Sequence, residues 1–242
     1  MESYFKGKTV LVTGAGWGIG AATALLYATY GANVIISDTS RKGGKDIIDK
    51  IKTQKGDVTY IKTDVSNVVA CEKLIKRTIG TYGSIDIACN NSAIFSEYRH
   101  PAAGNVGAIS NQMALNLLSL NNCMQYEVEA MIKQGGGVIV NTSSIVGAID
   151  SDLMSPYVDA KYNMTMLIQS RPEKYPAIHI NTISPAFINN AFLKNMIQKE
   201  TNGGMEMFPM ERHSPIQEVA GLILWLSSDE PYLLPTVFSD NN

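Results

Sequence analysis

The sequence of 242 residues contains few cysteines and few histidines, and it has no large excess of either positive or negative charge. Its three cysteines and three histidines do not cluster at the spacing of metal ligands, which argues against a structural zinc site and against a disulfide framework. We therefore expect no metal, and thiols that stay reduced as in the cytoplasm. The 20 basic residues nearly balance the 22 acidic ones, which argues against a nucleic-acid partner.

Long apolar runs are also lacking. The longest stretches, such as Val219–Leu226, are too short to span a bilayer, and the first residues contain no signal-peptide core. Hydrophobic residues nevertheless make up 45% of the chain and charged residues only 17%, which is enough apolar material for a sizeable core. We expect a cytoplasmic globular protein that has no membrane partner.

What the chain does contain is a regular alternation of short β-branched runs with helical patterns. This alternation predicts an α/β fold, a doubly wound parallel sheet of the Rossmann type with about seven strands and with helices on both faces. No linker or repeat divides the chain, so we expect residues 1–242 to form one domain. The predicted strands are Thr9–Thr13, Asn33–Ser37, Val58–Lys62, Ile85–Cys89, Val138–Thr142, Ile178–Ile183 and, weakly, Thr236–Phe238. The predicted helices are Gly18–Tyr30, Lys42–Gln54, Val68–Tyr82, Ile109–Gln134, Pro156–Gln169 and Ile216–Ser228.

A glycine-rich turn, Gly14–Gly20, connects the first predicted strand to an alanine-rich helix. Glycine permits a tight turn and lets backbone N–H groups approach a pyrophosphate, while the helix N-terminus adds a partial positive charge. The strict GxGxxG pattern fails when read from Gly14, but Gly16, Gly18 and Ala21 satisfy the looser GxGxxA form. With a strand before it and a helix after it, the turn predicts a dinucleotide site.

The second predicted strand is followed directly by Asp38. A carboxylate at that place can accept hydrogen bonds from both adenosine ribose hydroxyls and repels a 2′-phosphate, so it favours NAD over NADP. Arg41 and Lys42 follow closely and offer cationic groups to a phosphate, whereas the glycine turn carries Trp17 in place of a basic residue. NADP is therefore the less favoured cofactor.

Three residues in the middle of the chain could carry proton transfer. Tyr157 and Lys161 are four residues apart, so on a helix their side chains share one face. A nearby ammonium group favours the phenolate, so Tyr157 could exchange a proton with an alcohol or a carbonyl during hydride transfer. Ser144 follows the predicted strand before them, and its hydroxyl could hold the substrate oxygen. Each pattern alone is common, and only their combination points to an oxidoreductase.

Seven motifs in this order resemble the short-chain dehydrogenase/reductase family, single-domain type. They are the TGxxxGIG turn Thr13–Gly20, the pair Asp64–Val65, the NNAG-like Asn90–Ala93, the helix residue Asn116, the set Ser144, Tyr157 and Lys161, the N-x-x-x-P segment Asn181–Pro185, and Ser227–Glu230. The resemblance implies NAD-dependent interconversion of a secondary alcohol and a ketone. It implies four catalytic residues, which are Asn116, Ser144, Tyr157 and Lys161. It implies a cofactor-binding set of Gly14, Trp17, Gly18, Ile19, Gly20, Asp38, Asp64, Val65, Asn91, Ser92, Ala93, Tyr157, Lys161, Pro185, Ala186 and Ile188.

The resemblance also implies roles, partners and assembly. Lys161 would bind the nicotinamide ribose, Asn116 would pass protons toward solvent, and Ile188 would reach the nicotinamide carboxamide through its backbone. A small alcohol or ketone would be the substrate, covered by a lid at about 187–214. Further copies of the chain would complete a homodimer or a homotetramer.

The departures from the family pattern lie mainly in the second half of the chain. Ser92–Ala93 replaces Ala-Gly, Ala186 replaces the usual glycine, and Asp240–Asn242 replaces Asp-Gly-Gly. Pro172 lies where a helix of the tetramer interface usually continues, so we expect that helix to end early. These departures keep open a second hypothesis, a nucleotide-binding sensor or scaffold without turnover. A third, an epimerase or dehydratase, would need a longer substrate-binding portion.

Overall fold

The chain alternates strands and helices, as seen in a computed structural model that describes residues 2–92, 106–142, 177–183, 185 and 215–228. The strands are β1 (Thr9–Thr13), β2 (Asn33–Asp38), β3 (Asp57–Lys62), β4 (Ile87–Asn90), β5 (Gly137–Thr142) and β6 (Ile178–Ile183). The helices are α1 (Glu2–Phe5), α2 (Gly18–Thr29), α3 (Arg41–Thr53), α4 (Val68–Tyr82), α5 (Val106–Gln134) and α6 (Ile216–Leu226).

All neighbouring strands of the sheet are parallel, and the spatial order is β3-β2-β1-β4-β5-β6. The doubly wound parallel sheet predicted from the sequence is therefore confirmed. β1 lies between β2 and β4, with Val10 opposite both Val34 and Ile87. The chain reverses its direction of winding at this point, which leaves a crevice beyond the carboxyl ends of β1 and β4 where such sheets bind ligands.

The sheet is buried on both faces, because successive strand residues enter two different apolar cores. In β1, Val10 and Val12 pack into the core beneath α2, α3 and α6, whereas Leu11 packs into the core beneath α4 and α5. Ile139 of β5 joins the second core, whereas Val140 joins the first. This burial explains why the strands are continuous β-branched runs and not alternating ones.

Local caps define where several helices begin and end. The Ser40 hydroxyl accepts a hydrogen bond from the N–H of Gly43 at the start of α3, and the Asn67 side chain accepts one from Ala70 at the start of α4. α4 ends at Gly83, whose φ of 89° lies in the left-handed region that glycine adopts without strain.

α2 and α6 are tied together although they lie far apart in the chain. The Tyr27 hydroxyl of α2 and the Ser227 hydroxyl after α6 are 2.6 Å apart, and both side chains are buried. Phe5 of α1 stacks edge-on against the Tyr27 ring, with centroids 5.2 Å apart. The beginning and the end of the described chain therefore share one core.

The predicted elements agree closely with those observed. Six predicted strands are present, with ends displaced by no more than two residues, and five predicted helices are present. The sequence did not predict the four-residue helix α1, because it is too short to show a helical period. The predicted strand Thr236–Phe238, the predicted helix Pro156–Gln169 and the lid at 187–214 lie outside the described residues. Over those described, no helix combines the length and the apolar character needed to cross a bilayer.

Candidate functional site

The glycine turn at the end of β1 is a cradle of closely packed backbone. Gly14 and Gly18 have φ values of 62° and 61°, which residues with a side chain rarely adopt. A Cβ atom on Gly14 would come within 2.8 Å of the Ser92 Cα, and one on Gly20 within 2.7 Å of the Asn91 Nδ2. The predicted phosphate turn thus leaves no room for side chains where it meets the segment after β4.

Thr13 links this turn to the end of β4. Its Oγ1 accepts hydrogen bonds from the backbone N–H groups of Asn91, at 3.1 Å, and Ser92, at 3.2 Å. The Asn91 side-chain amide donates back to the carbonyl oxygen of Gly14 at 3.2 Å. These bonds bring together predicted cofactor residues that lie far apart in the sequence.

Asp38 stands at the end of β2, and its two carboxylate oxygens are each held by a backbone N–H. Gly16 donates to Oδ2 at 2.9 Å and Ser40 donates to Oδ1 at 2.8 Å. A carboxylate oxygen has more than one acceptor site, so both oxygens keep capacity for an external donor. The side chain is only half-buried, which leaves it open to a ligand.

Two neighbours keep Asp38 in this place. The Tyr60 hydroxyl donates to the Asp38 carbonyl oxygen at 2.9 Å. Burial and then the charge of Asp38 raise the pKa of Tyr60, so the phenol stays a neutral donor. Gly43 of α3 packs so closely that a Cβ atom on it would lie 2.7 Å from the Gly16 carbonyl oxygen. The first turn of α3 therefore packs directly against the backbone of the glycine turn at Gly16.

The Asp64–Val65 loop lies beyond the end of β3. The Ser66 N–H and hydroxyl both donate to Asp64 Oδ1, at 3.0 and 2.7 Å. The Asn122 amide of α5 donates to the carbonyl oxygens of Val65 and Ser66, each at 3.2 Å. Asn122 therefore fixes the backbone of this loop against α5.

A second polar cluster is buried where β4 and β5 end. The Asn90 side-chain amide donates to Glu127 Oε2 of α5 at 2.8 Å and to Asn141 Oδ1 of β5 at 3.0 Å. Glu127 is completely buried, and this burial raises the pKa of its carboxyl to about 7, although the bond from Asn90 opposes the shift. Among the residues that the structure describes, Glu127 Oε1 and Asn90 Oδ1 find no hydrogen-bond partner.

The remaining predicted site residues divide into two groups. Trp17 is 53% exposed, Asn116 is buried on α5, and Pro185 is partly buried after β6. The others lie outside the described residues, namely Ala93, Ser144, Tyr157, Lys161, Ala186 and Ile188.

Sequence reasoning missed the side chains that position the site. Asn122 and Asn90 act across more than 50 residues in the bonds to Val65 and Asn141, and no local pattern announces such contacts. Glu127 did leave a signal. It occupies the apolar stripe of α5 at helical spacing from Leu120, Met124 and Met131. A carboxyl group on such a stripe must be paired or protonated.

The described residues suit a nucleotide more than a metal ion. Among them, no three His, Cys, Asp or Glu side chains form a group that could hold a metal. The cradle at Gly14 and Gly20, by contrast, presents backbone where a side chain would block it, and Asp38 lies directly beside Gly16. This donor set fits the pyrophosphate and a ribose of a dinucleotide.

Known proteins with related sequences and structures match most of the chain. Residues 8–201 match the family described as short chain dehydrogenase. Cyclohexanol dehydrogenase of Acinetobacter sp. (strain SE19) is 31% identical over 232 residues, which cover 95% of this chain and 91% of that protein. A 2,5-dichloro-2,5-cyclohexadiene-1,4-diol dehydrogenase of Sphingobium indicum is 30% identical over 235 residues, covering 94% and 92%. The crystal structure of levodione reductase superposes with a TM-score of 0.87 at 25% identity, covering 95% and 94%.

Proposed function

The chain belongs to the short-chain dehydrogenase family, and from that membership we propose an NAD-dependent oxidoreductase that interconverts a secondary alcohol and a ketone. The relatives named above support an oxidoreductase of this family. The observation that carries the choice of cofactor is the Asp38 carboxylate beside Gly16.

Asp38 favours NAD for an electrostatic reason. Its two oxygens are anchored by Gly16 and Ser40, so the carboxylate cannot turn away from a ligand bound over the glycine turn. Ribose hydroxyls would donate to it, whereas a 2′-phosphate would bring a second negative charge to the same place. We propose that Gly14, Gly18 and Gly20 hold the pyrophosphate.

NAD, when bound, would accept the hydride from the substrate. We propose that the chain supplies proton transfer and orientation: Tyr157 takes the alcohol proton, Lys161 favours its phenolate, and Ser144 holds the substrate oxygen. Asn116, which is buried in α5, would help to pass that proton onward.

Cyclic secondary alcohols are the substrate class that we propose first. Two of the relatives are named for the dehydrogenation of a cyclohexanol and of a cyclohexadiene diol. A ring carbinol would offer one secondary hydroxyl to Tyr157, and the rest of its ring would be apolar. We further propose that residues 1–242 form one domain with a lid at 187–214, and that copies assemble as a homodimer or homotetramer.

The experiment is a screen of cyclic and acyclic alcohols and ketones with NAD(H) and NADP(H), followed by nicotinamide absorbance. We expect turnover with NAD and a ring alcohol, and its loss in Tyr157→Phe by about 100-fold or more, the typical contribution of a general acid or base. Tyr162→Phe, which changes the next tyrosine in the chain, should retain activity. Tight NAD binding without turnover of any substrate would favour the sensor hypothesis.

A further inference from the structure

We propose that Glu127 is a positioning residue of the cofactor site, which acts through Asn90 on the segment leading into Asn91 and Ser92. The proposal rests on the function proposed above, because it treats Asn91 and Ser92 as part of the cofactor surface. Glu127 lies in α5, on the opposite side of β4 from the glycine turn's helix, and its carboxyl is 2.8 Å from the Asn90 amide.

The Asn90 side chain connects β4 to both α5 and β5. One amide hydrogen of Asn90 goes to Glu127 Oε2 and the other to Asn141 Oδ1 of β5. Asn90 is the last residue of β4, and the next two residues donate to Thr13 Oγ1 at the end of β1. Glu127 therefore holds one end of a chain of bonds that reaches the phosphate turn.

The protonation state of Glu127 decides how well this bond network is satisfied. An ionised carboxylate leaves two buried acceptors, Glu127 Oε1 and Asn90 Oδ1, without a donor. A proton on Oε1 turns that atom from an acceptor into a donor and reduces the number of unsatisfied acceptors. These unpaired atoms disfavour the charged form, but the bond from Asn90 lowers the pKa of Glu127, so it is stronger to the ionised carboxylate than to the neutral acid.

No positive charge among the described residues compensates Glu127. The titratable groups that face it are the thiols of Cys89 in β4 and of Cys123 one turn earlier in α5, and Cys123 in turn contacts Cys71 of α4. Burial raises the pKa of Cys89 to about 12, so this thiol stays neutral. β5 contributes Asn141, and His179 of β6 is exposed. The two ion pairs formed by described residues, Lys76–Glu72 and Lys133–Glu129, are both on the surface.

The test compares Glu127→Gln, Glu127→Ala and the matched control Glu129→Gln. Glutamine keeps the acceptor for Asn90 and adds a permanent donor, so it imitates the protonated acid at every pH. Alanine removes the partner altogether. Glu129 is exposed two residues further along the same helix, so its substitution removes the same charge without touching Asn90.

Two measurements are made at several pH values from mildly acidic to mildly alkaline. The first is hydrogen exchange of the Asn91 and Ser92 amides in cofactor-free protein. The second is the Kd for NAD and NADH by fluorescence. As the pH rises through neutrality, the carboxylate becomes the stronger acceptor, so we expect exchange and Kd in the wild type to fall by about two- to tenfold relative to Glu127→Gln, the equivalent of one hydrogen bond. Glu127→Ala should show the weakened state at all pH values, and Glu129→Gln should follow the wild type.

Parallel pH curves for the wild type and Glu127→Gln would overturn the proposal, as would exchange in Glu127→Ala that equals that in Glu127→Gln. If Glu127→Ala does not fold, the pH curves of the wild type, Glu127→Gln and Glu129→Gln still decide whether the proposal holds. If the wild type binds neither NAD nor NADP, the proposed cofactor is wrong, and the exchange measurement alone then decides whether Glu127 positions Asn91 and Ser92.

Discussion

Two carboxyl groups at the same edge of the sheet are held in opposite ways. Asp38, after β2, is half-buried, and each of its oxygens receives a backbone N–H. Glu127, beneath the ends of β4 and β5, is fully buried, and one of its oxygens receives no hydrogen bond from the described part of the chain. The first region presents an anchored charge to a ligand, whereas the second hides a group that is hard to charge.

The difference shows how the burial of a side chain decides its use. Backbone donors near solvent fix the orientation of the Asp38 carboxylate and leave it able to accept further hydrogen bonds. Burial with a single side-chain donor raises the pKa of Glu127 to about 7, so its charge changes within the range of pH where proteins work. Substitutions in the two regions should therefore differ in size and in dependence on pH.

The largest effect is expected from closing the cradle beside Asp38. Gly20→Ala would place a Cβ atom 2.7 Å from the Asn91 Nδ2 and against the backbone of Gly14, so the turn would have to shift to accommodate it. We expect that titration calorimetry will detect no NAD binding to Gly20→Ala. Gly80→Ala is the control, because a Cβ atom on Gly80 in α4 meets nothing within 4 Å. Normal NAD affinity in Gly20→Ala would contradict the assignment of the phosphate turn.

The next effect is the dependence of stability on pH that Glu127 causes. Its pKa is raised from 4.5 to about 7 in the folded protein, so the folded state binds the proton more tightly than the unfolded state. The contribution of Glu127 to the free energy of unfolding is therefore complete below pH 4.5. It is lost as the pH rises to about 7, by roughly 3 kcal/mol for this group alone. Urea unfolding of Glu127→Gln should lack this fall.

In that experiment, Glu129→Gln should keep the wild-type slope, because Glu129 is exposed on the surface of α5. Identical slopes for the wild type and Glu127→Gln would mean that folding does not raise the pKa of Glu127, and the contrast with Asp38 would disappear.

A smaller effect is expected at Asp38 itself. Asp38→Ala should weaken NAD binding by about 2 kcal/mol, or roughly 30-fold, because the ribose hydroxyls lose a charged acceptor. Binding of NADP should weaken less or improve, so the Kd for NADP divided by the Kd for NAD should fall. Asp46→Ala removes an equal charge from the exposed face of α3 and should leave that ratio unchanged. An unchanged ratio in Asp38→Ala itself would show that Asp38 does not face the ribose.

The smallest effect concerns the thiols around Glu127. Cys71, Cys89 and Cys123 are buried, and the pKa of Cys89 is raised by burial to about 12. We expect no reaction with a disulfide reagent in the native protein at mildly alkaline pH, and three reactive thiols once urea unfolds it. A thiol that reacts rapidly before unfolding would show that the core beside Glu127 opens.

The sequence was sufficient to predict the parts of the molecule that local patterns encode. β-branched runs marked the six strands, and the glycine turn with Asp38 marked the crevice at β1. The contacts that hold the site come from distant residues and could not be predicted in this way. Thr13 meets Asn91 across 78 residues, and Asn90 meets Glu127 across 37. In the sequence Glu127 was only a charged residue on an apolar stripe, and its partner depended on how α5 lies on the sheet.

The hydrogen bond between Tyr27 and Ser227 has a consequence for truncated forms of the chain. α6 and Ser227 cover one side of α2, including the buried Tyr27, Ala24 and Ala28. A chain that stops before residue 215 would leave this surface of α2 in contact with water and the Tyr27 hydroxyl without Ser227. Such an uncovered apolar patch promotes association and exposes a polypeptide to proteases. Packing of α6 and Ser227 therefore protects α2, and variants that lack them should be cleaved faster by proteases.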